Sequence, residues 1–302
     1  MTRGVVLRGT GGVWSVRNEA GETVEASLRG RLKKGDVLKL AVGDEVELEP
    51  DERGGAWAIA EILARRSQLA RRAPSGGFGE RVVAANVDQV VIVFAAAKPE
   101  PHTRMLDRFL VIAEANRLAA RVVVNKVELT GEDVARNRFG TYERIGYPVH
   151  YTSVKVPRGL EPLGVALVGR TSVLTGPSGV GKSSLLNALY PGLNLRVGEI
   201  SESVNKGRHT TVGALLHPLP DGGFVVDTPG LREVGMWALP AEGLDRLFPE
   251  LRPLVEHCRF GDCTHTVEPG CAVRDAVARS EVSEERYDSY RRLRKELSDG
   301  KA

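Results

Sequence analysis

A glycine-rich segment near the middle of the chain has the residue types that bind phosphate groups. Residues 176–183 are Gly-Pro-Ser-Gly-Val-Gly-Lys-Ser and fit the pattern G-x-x-x-x-G-K-[ST]. A strand-like run, Ser172–Thr175, precedes them, and a helical run, Ser184–Leu189, follows. Glycines let backbone N–H groups turn toward phosphate oxygens at a helix N-terminus, where the helix dipole favours anions. The predicted nucleotide-binding residues here are Gly176, Pro177, Ser178, Gly179, Val180, Gly181, Lys182, Ser183 and Ser184.

Two side chains of this segment and two later residues have the chemistry to hold a metal–triphosphate. The Lys182 ammonium would neutralise the β- and γ-phosphates during catalysis, and the Ser183 hydroxyl would ligate Mg²⁺. Asp227 follows a strand-like run, Phe224–Val226, where a carboxylate that holds Mg²⁺ through a water is expected. In the same Asp-Thr-Pro-Gly turn, the Gly230 N–H would donate to the γ-phosphate. The spacing predicts one Mg²⁺–nucleotide site.

The segment between these motifs offers a hydroxyl that would complete the Mg²⁺ shell. It contains the adjacent threonines Thr210 and Thr211. A hydroxyl from a mobile loop joins the metal in many phosphate-loop enzymes when the γ-phosphate is present, and we prefer Thr211 for this catalytic role. The alternative is a surface loop that happens to carry two β-branched residues.

A third motif has the side chains that recognise a purine edge. Asn125-Lys126-Val127-Glu128 follows the strand-like run Arg121–Val124 and resembles the N-K-x-D element with which GTPases bind guanine. A carboxylate at the position of Glu128 would accept hydrogen bonds from N1–H and N2–H₂, which adenine lacks. Glu128 is one methylene longer than the usual aspartate, so its reach differs. Ser153, after another strand-like run, is a candidate second base contact, and an ordinary turn at a strand end is the alternative.

The order of the motifs differs from that of an ordinary GTPase. Asn125 and Ser153 precede the phosphate loop at Gly176, whereas Asp227 follows it. These residues fit a single site only if the chain is circularly permuted. Permutation is physically tolerable because domain termini tend to lie close together on the surface.

A second kind of site is indicated by the cysteines. All three cysteines of the chain lie within fourteen residues of one another, together with a histidine, as Cys258, Cys263, His265 and Cys271. Three thiolates and an imidazole match a closed tetrahedral Zn²⁺ site, which leaves no open position for catalysis. We therefore predict one structural zinc ion that orders a small domain. The alternative is three buried cysteines and a hydrogen-bonded histidine.

The N-terminal part of the chain has the pattern of a small barrel. Residues 1–72 contain about five strand-like runs separated by Gly, Asp and Asn turns, which predicts an OB-like, RNA-binding domain. The runs are Gly4–Arg8, Val13–Arg17, Thr23–Leu28, Glu45–Glu49 and Trp57–Ile62. The segment ends in the arginine pairs 65–66 and 71–72, which either bind phosphates or form a solvated edge.

The remainder of the chain predicts an α/β domain followed by a helical one. Residues 73–82 resemble a linker, and strand-like runs such as Val87–Ala97 and Thr171–Thr175 then alternate with helical runs such as Thr103–Leu118. We therefore predict a circularly permuted phosphate-loop GTPase domain over residues 73–235. Residues 236–302 form the predicted zinc-binding domain, which ends in a helix, Ser283–Leu297, with Ser283 as its N-cap.

Composition narrows the functional classes. The 302 residues carry 42 basic and 39 acidic side chains, so bulk charge does not by itself predict a nucleic-acid-binding protein. The first residues have no apolar signal segment, and the longest apolar run, Val90–Ala97, is too short for a membrane span. We expect a cytoplasmic monomer without membrane contact.

Taken together, the motifs resemble those of one family, the circularly permuted GTPases of the ribosome small-subunit-dependent GTPase A (RsgA) type. The resemblance covers nearly the whole chain through the segments NKVE, GPSGVGKSS, GRHTT, DTPG and CRFGDCTHTVEPGC. It implies a GTPase that binds GTP and GDP and is stimulated by the small (30S) ribosomal subunit. It also implies contact with 16S rRNA late in 30S maturation, one Zn²⁺ ion and Mg²⁺ bound with GTP.

Two other functional classes explain part of the pattern. A small-molecule kinase would use Lys182 and Ser183 in the same way, but it needs neither a guanine-binding motif nor a zinc module. An RNA-binding protein whose nucleotide site is only regulatory would explain the barrel and the arginine pairs. Comparing GTP with ATP turnover, with and without ribosomal subunits, separates the three classes.

His209 is our candidate for the residue that orients the attacking water, and the alternative is a histidine that faces rRNA or is only structural. Many GTPases carry a glutamine just after D-x-x-G for this purpose, whereas this chain has Leu231 there. We expect His209→Ala to lower the 30S-stimulated rate of GTP hydrolysis on the order of 100-fold, the usual contribution of a positioned acid–base group, while nucleotide affinity stays near normal. Single-turnover hydrolysis and nucleotide titration measure the two effects. An unchanged stimulated rate would remove His209 from the mechanism.

Overall fold

The protein folds into a barrel, an α/β domain and a small helical domain in this computed structural model. The structure describes residues 1–30, 39–50, 57–72, 80–195, 214–227 and 242–299. No helix within these ranges is both long enough and apolar enough to cross a lipid bilayer.

Five short strands at the N-terminus close into a barrel. The strands β1 to β5 are Thr2–Thr10, Val13–Asn18, Thr23–Leu28, Glu45–Pro50 and Trp57–Ile62. Their order is β1-β2-β3-β5-β4, and β1 pairs with β4 to close the ring. Val6, Val16 and Ile59 belong to the barrel core and are fully buried. Alternate residues of a strand point to the same face, so each strand can direct part of its side chains into this core. The OB-like barrel predicted from the sequence is confirmed.

A buried ion pair fixes the end of the barrel segment. The Arg65 guanidinium donates to both carboxylate oxygens of Asp44 at 2.7 and 2.8 Å, and the Asp44 side chain is fully buried. Arg66 pairs with Asp88 at the start of the next domain. The prediction that the arginine pairs bind phosphates or lie in solvent is therefore wrong for Arg65, which is a structural residue.

A two-stranded hairpin joins the barrel to the next domain. Its strands are Gln68–Arg72 (β6) and Glu80–Ala85 (β7), so the predicted linker over residues 73–82 is wrong at its C-terminal end. The Ala85 N–H donates to the Val42 carbonyl at 2.8 Å. A Cβ atom on Gly43 would lie 2.2 Å from the Ala85 carbonyl oxygen, so this approach requires glycine.

The α/β domain is built on a six-stranded sheet. Its strands β8 to β13 are Gln89–Ala95, Ala119–Asn125, Val149–Tyr151, Thr171–Thr175, Leu215–Pro218 and Phe224–Asp227. Their order is β10-β9-β8-β11-β13-β12, and every neighbouring pair is parallel except β12 with β13. The parallel strands end at one edge, where ligands bind in sheets of this kind.

Four of the described helices cover the two faces of the sheet. The helices α1 to α4 are Thr103–Ala115, Glu132–Ile145, Leu160–Leu167 and Lys182–Leu189. Residues of β8 alternate between two cores: Ile92 packs with α1 and α2, and Val93 packs with α3 and α4. A strand buried on both faces explains the unbroken apolar run in the sequence.

The first helix is shorter than the sequence pattern predicts. It ends at Ala115 rather than at Leu118. The Asn116 side-chain amide donates to the Ile112 carbonyl at 2.8 Å, and Arg117 has a left-handed φ of +54°. These local contacts end the helix, although the apolar periodicity continues past it.

The described part of the C-terminal domain combines short helices with one helix of 15 residues, around a core to which Val111 of α1 also belongs. A 3-10 turn at Leu244–Leu247 leads to helices α5 to α7, which are Arg252–Val255, Ala272–Ala278 and Glu284–Ser298. Phe248 and Tyr290 are fully buried and meet edge to face, with ring centroids 5.6 Å apart. Ser283 is the N-cap residue of α7, as predicted, but its side chain makes no capping hydrogen bond.

A buried arginine joins this domain to the α/β domain. Arg286 of α7 donates to Asp107 of α1 at 2.5 Å and to Glu250 at 2.7 Å, and its side chain is 2% exposed. The Tyr142 hydroxyl donates to the same Asp107 carboxylate at 2.8 Å. The two nearby carboxylates, acting against the desolvation cost of burial, raise the pKa of Arg286 above its ordinary value. The cation therefore stays charged between the two domains.

We expect Arg286→Met to destabilise the C-terminal domain strongly. The methionine fills much of the same space but leaves Asp107 and Glu250 as buried carboxylates without their cation, which typically costs about 3–5 kcal/mol of unfolding free energy. Urea unfolding followed by circular dichroism measures the change. Arg279→Met is the matched control, because the Arg279–Glu281 pair lies on the surface and is expected to contribute little. Equal effects of the two substitutions would contradict the structural role of Arg286.

Candidate nucleotide site and metal centre

The phosphate loop adopts a conformation that only glycines allow. It connects β11 to α4, and Gly176, Gly179 and Gly181 have φ values of +132°, +75° and +96°. A Cβ atom on Gly176 would lie 2.0 Å from the carbonyl oxygen of Val93. The sequence pattern therefore reflects both backbone conformation and close approach to the neighbouring strand.

The lysine and serine of the motif lie in the first turn of α4. The Lys182 ammonium donates to the carbonyl oxygens of Gly176 and Pro177, both at 2.8 Å, so its stem folds back over the loop. Lys182 and Ser183 are each 6% exposed. Ser178 lies exposed at the tip of the loop, and Ser184 is half-buried on α4. A positive charge and a helix N-terminus thus occupy the same loop, which favours an anion.

The motif predicted to bind the purine lies directly against the phosphate loop. The Asn125 amide nitrogen donates to the Val180 carbonyl at 2.9 Å, and the Thr152 hydroxyl donates to the Asn125 side-chain oxygen at 3.2 Å. A Cβ atom on Gly181 would lie 2.6 Å from the Asn125 amide nitrogen. Residues 55 positions apart in the chain are therefore in contact.

The neighbouring lysine makes a second link across the same edge. The Lys126 ammonium donates to the carbonyl oxygens of Gly179 and Lys98, both at 2.6 Å. Its backbone is left-handed, with φ of +62°, so the stem leaves the end of β9 toward the phosphate loop. The two motifs, which follow the permuted order along the chain, are therefore in contact at one edge of the sheet.

Glu128 has a carboxylate oxygen that is buried without a hydrogen-bond partner among the described residues. It lies in the 3-10 turn Val127–Leu129, immediately after Asn125 and Lys126. A buried acceptor without a partner is costly, so this oxygen would gain from a hydrogen-bond donor that could reach it. The role of Glu128 in binding the base stays a prediction.

Ser153, the other predicted contact with the base, forms part of a turn. Ser153 is 1% exposed. Its hydroxyl oxygen accepts the Val156 N–H at 3.0 Å, and its own N–H donates to the Arg158 carbonyl at 3.1 Å. These bonds form a turn after β10, one strand away from Asn125. They favour the turn over direct base contact, and the nucleotide role of Ser153 stays a prediction.

The predicted metal and catalytic residues are only partly described. Asp227 is the last residue of β13, which pairs in parallel with β11, so its backbone lies at the same edge as the phosphate loop. The Asp227 side chain lies outside the described residues. The same is true of His209, Thr210, Thr211 and Gly230. Their roles stay predictions.

The predicted zinc ligands come together in one cluster. One ligand atom from each of Cys258, Cys263, His265 and Cys271 lies within 4.8 Å of the other three. The Cys258 and Cys271 sulfurs are 3.9 Å apart, and the His265 Nδ1 atom lies 3.5 and 3.4 Å from them. A tetrahedral zinc ion would give edges of about 3.8 Å between sulfurs and about 3.6 Å from sulfur to nitrogen. The cluster could therefore hold a metal ion with little movement.

The chemistry of the thiols also favours a cation. Burial, together with the nearby Cys271 and Cys258 sulfurs, raises the pKa of Cys263 to about 12 despite a hydrogen bond with the His265 backbone that lowers it. Three thiols so close together resist losing their protons unless a cation lies between them. A bound divalent metal supplies that charge and deprotonates the thiols.

Sequence reasoning missed one residue that contacts this cluster. The His265 Nε2 atom lies 3.1 Å from a carboxylate oxygen of Asp245, and this hydrogen bond lowers the pKa of Asp245 below its ordinary value. Asp245 precedes the first cysteine by 13 positions and belongs to the turn Leu244–Leu247. No spacing rule connects an aspartate at this distance with the histidine, so only the fold reveals the contact.

Comparisons with known sequences agree over nearly the full length of the chain. A family model described as RsgA GTPase matches residues 62–237, and one described as RsgA N-terminal domain matches residues 3–57. A relative from Gemmatimonas aurantiaca, named small ribosomal subunit biogenesis GTPase RsgA, is 59% identical and covers 98% of this chain and 97% of its own length. A relative of the same name from Moorella thermoacetica is 41% identical, covering 95% and 94%.

Solved structures show the same architecture. The crystal structure of YjeQ from Thermotoga maritima superposes with a TM-score of 0.82 at 37% identity, covering 98% of both chains. The structure of YloQ, described as a circularly permuted GTPase, has a TM-score of 0.78 at 30% identity and covers 100% of this chain and 97% of its own. Together with the permuted nucleotide site, these matches show that the chain belongs to the RsgA GTPase family and is a GTP hydrolase.

Proposed function

We propose that this GTPase acts on the small ribosomal subunit, where it hydrolyses GTP during late 30S maturation and is stimulated by the subunit. The proposal that the protein binds a nucleotide rests mainly on the 2.9 Å hydrogen bond between the Asn125 amide and the Val180 carbonyl. It joins a base-binding motif to a phosphate loop at one sheet edge. The ribosomal part rests on the relatives, which are named for small-subunit biogenesis.

We propose that the nucleotide is held from both ends. Asn125, Lys126 and Glu128 bind the guanine base, and the buried unpartnered oxygen of Glu128 supports this assignment. The loop from Gly176 to Ser184 binds the phosphates, with Lys182 neutralising the charge that develops during hydrolysis. Hydrolysis turns GTP into GDP in the same site.

Mg²⁺ would stabilise the charge on the β- and γ-phosphates when GTP is bound. Ser183 and Thr211 would ligate it directly, and Asp227 would hold it through a water. Gly230 would donate its N–H to the γ-phosphate, and His209 would orient the attacking water. Support for these roles comes from the position of Ser183 on the first turn of α4 and of Asp227 at the end of β13.

We propose that Cys258, Cys263, His265 and Cys271 hold one structural Zn²⁺ ion. Four protein ligands complete a tetrahedral shell, so the ion has no open position for a substrate. Its role is to stabilise a small domain. The edge lengths of the cluster support zinc.

We propose three domains: an OB-like barrel over residues 1–72, the permuted GTPase domain over 73–235 and the zinc domain over 236–302. The barrel is the proposed contact with 16S rRNA, because barrels of this type commonly bind nucleic acid. A cytoplasmic location and a monomeric state agree with this function and stay predictions.

Phosphate release from GTP and from ATP, with and without purified 30S subunits, tests the proposal. We expect slow hydrolysis of GTP alone, a large increase with 30S subunits and no comparable increase with ATP. The 50S subunit is the control for a nonspecific effect of ribosomal RNA. Turnover that 30S subunits leave unchanged would contradict the ribosomal role, and a preference for ATP would contradict the guanine assignment.

We expect Glu128→Ala to weaken GTP and GDP binding on the order of 100-fold. The substitution removes two charge-assisted hydrogen bonds to guanine, each of which contributes about 1.5 kcal/mol or more. Titration of a fluorescent GDP analogue measures the affinity, and ATP binding should change little. Glu161→Ala is the matched control, because Glu161 is an exposed residue on α3. Unchanged guanine selectivity would remove Glu128 from the base site.

A further inference from the structure

Asp245 contacts the candidate metal cluster from outside the ligand set. Its carboxylate oxygen lies 3.1 Å from Nε2 of His265, while Nδ1 of the same ring faces the Cys258 and Cys271 sulfurs. The His265 side chain is fully buried, and the Asp245 side chain is 13% exposed. The imidazole therefore has one nitrogen toward the sulfurs and the other toward a carboxylate.

We propose that Asp245 is the positioning residue of the metal centre, an inference that rests on the zinc site proposed above. A neutral imidazole carries one N–H and one lone pair. A carboxylate beside Nε2 keeps the proton there, so the lone pair of Nδ1 points at the position between the sulfurs. When a metal is bound, the same hydrogen bond strengthens the histidine as a ligand, and such partners commonly affect metal affinity 10- to 100-fold.

The fold holds the Asp245 carboxylate in place. Asp245 lies in the turn Leu244–Leu247, and Leu244 of that turn and the following Phe248 are fully buried in the domain core. The carboxylate therefore has little freedom to turn away.

The histidine is fixed through its backbone as well. Its φ is +58°, and its carbonyl oxygen accepts the Tyr287 hydroxyl of α7 at 2.6 Å. Glu268 accepts the N–H groups of Thr264, Thr266 and Val267 and so shapes the ligand loop on both sides of the ring. The ring is thus oriented before any metal enters, which lowers the entropic cost of binding.

Zinc affinity of the full-length protein tests this role. We expect Asp245→Ala to weaken Zn²⁺ binding about 10- to 100-fold, measured by competition with a chromophoric chelator. Asp245→Asn keeps an acceptor oxygen without the charge, so its loss should be smaller. Asp275→Ala is the matched control, since Asp275 is an exposed carboxylate of the same domain on α6, and it should bind zinc as the unaltered protein does.

A spectroscopic readout separates positioning from general stabilisation. In zinc-loaded protein with ¹⁵N-labelled histidine, we expect the Nε2 proton of His265 to exchange slowly with water, and to exchange faster in Asp245→Ala. If Asp245 acted only by stabilising the fold, metal-free Asp245→Asn would melt at a lower temperature than the metal-free unaltered protein, whereas we expect the two metal-free proteins to melt alike.

Two outcomes overturn the inference, and they are distinguishable. If the unaltered protein binds no zinc at a 1:1 ratio, both the proposed metal site and the role of Asp245 fail. If it binds zinc tightly and both Asp245 variants bind it equally well, the zinc site stands and only the positioning role fails.

Discussion

The nucleotide site depends on the hydrogen bond between the Asn125 amide and the Val180 carbonyl. It connects the end of β9 with the loop after β11, across the intervening strand β8. The absence of a side chain on Gly181 is what allows the amide to come so close. Lys126 adds a second link to the same loop. The motif that is predicted to bind the base and is translated early is thereby fixed against a phosphate loop that is translated later.

Buried charges have a comparable role elsewhere in the structure. Asp44 with Arg65 ends the barrel segment, and Arg286 with Asp107 joins the C-terminal helix to α1. Isolated charges in these positions would be costly, whereas the paired groups also make further hydrogen bonds. Each pair therefore favours one arrangement of neighbouring segments. Apolar contacts, which lack direction, specify an arrangement less strictly.

The sequence predicted the parts that local rules govern. The strand Thr171–Thr175, the phosphate loop and the clustering of three cysteines with His265 follow from spacing and residue type, and the structure has them as expected. Local rules failed where contacts distant in sequence decide. The strand at Glu80 forms because it pairs with β6, and the Asp245 contact with His265 spans 20 positions. Neither contact leaves a periodic pattern in the chain.

The strand order of the sheet also bears on how the chain folds during synthesis. The central strand β8 is made first, β9 and β10 then add on one side, and β11 adds on the other. The antiparallel pair of β12 and β13 completes that second side. The sheet can therefore widen outward from its middle as the ribosome releases the chain. Among the strands that the structure describes, none has to be inserted between two that are already paired.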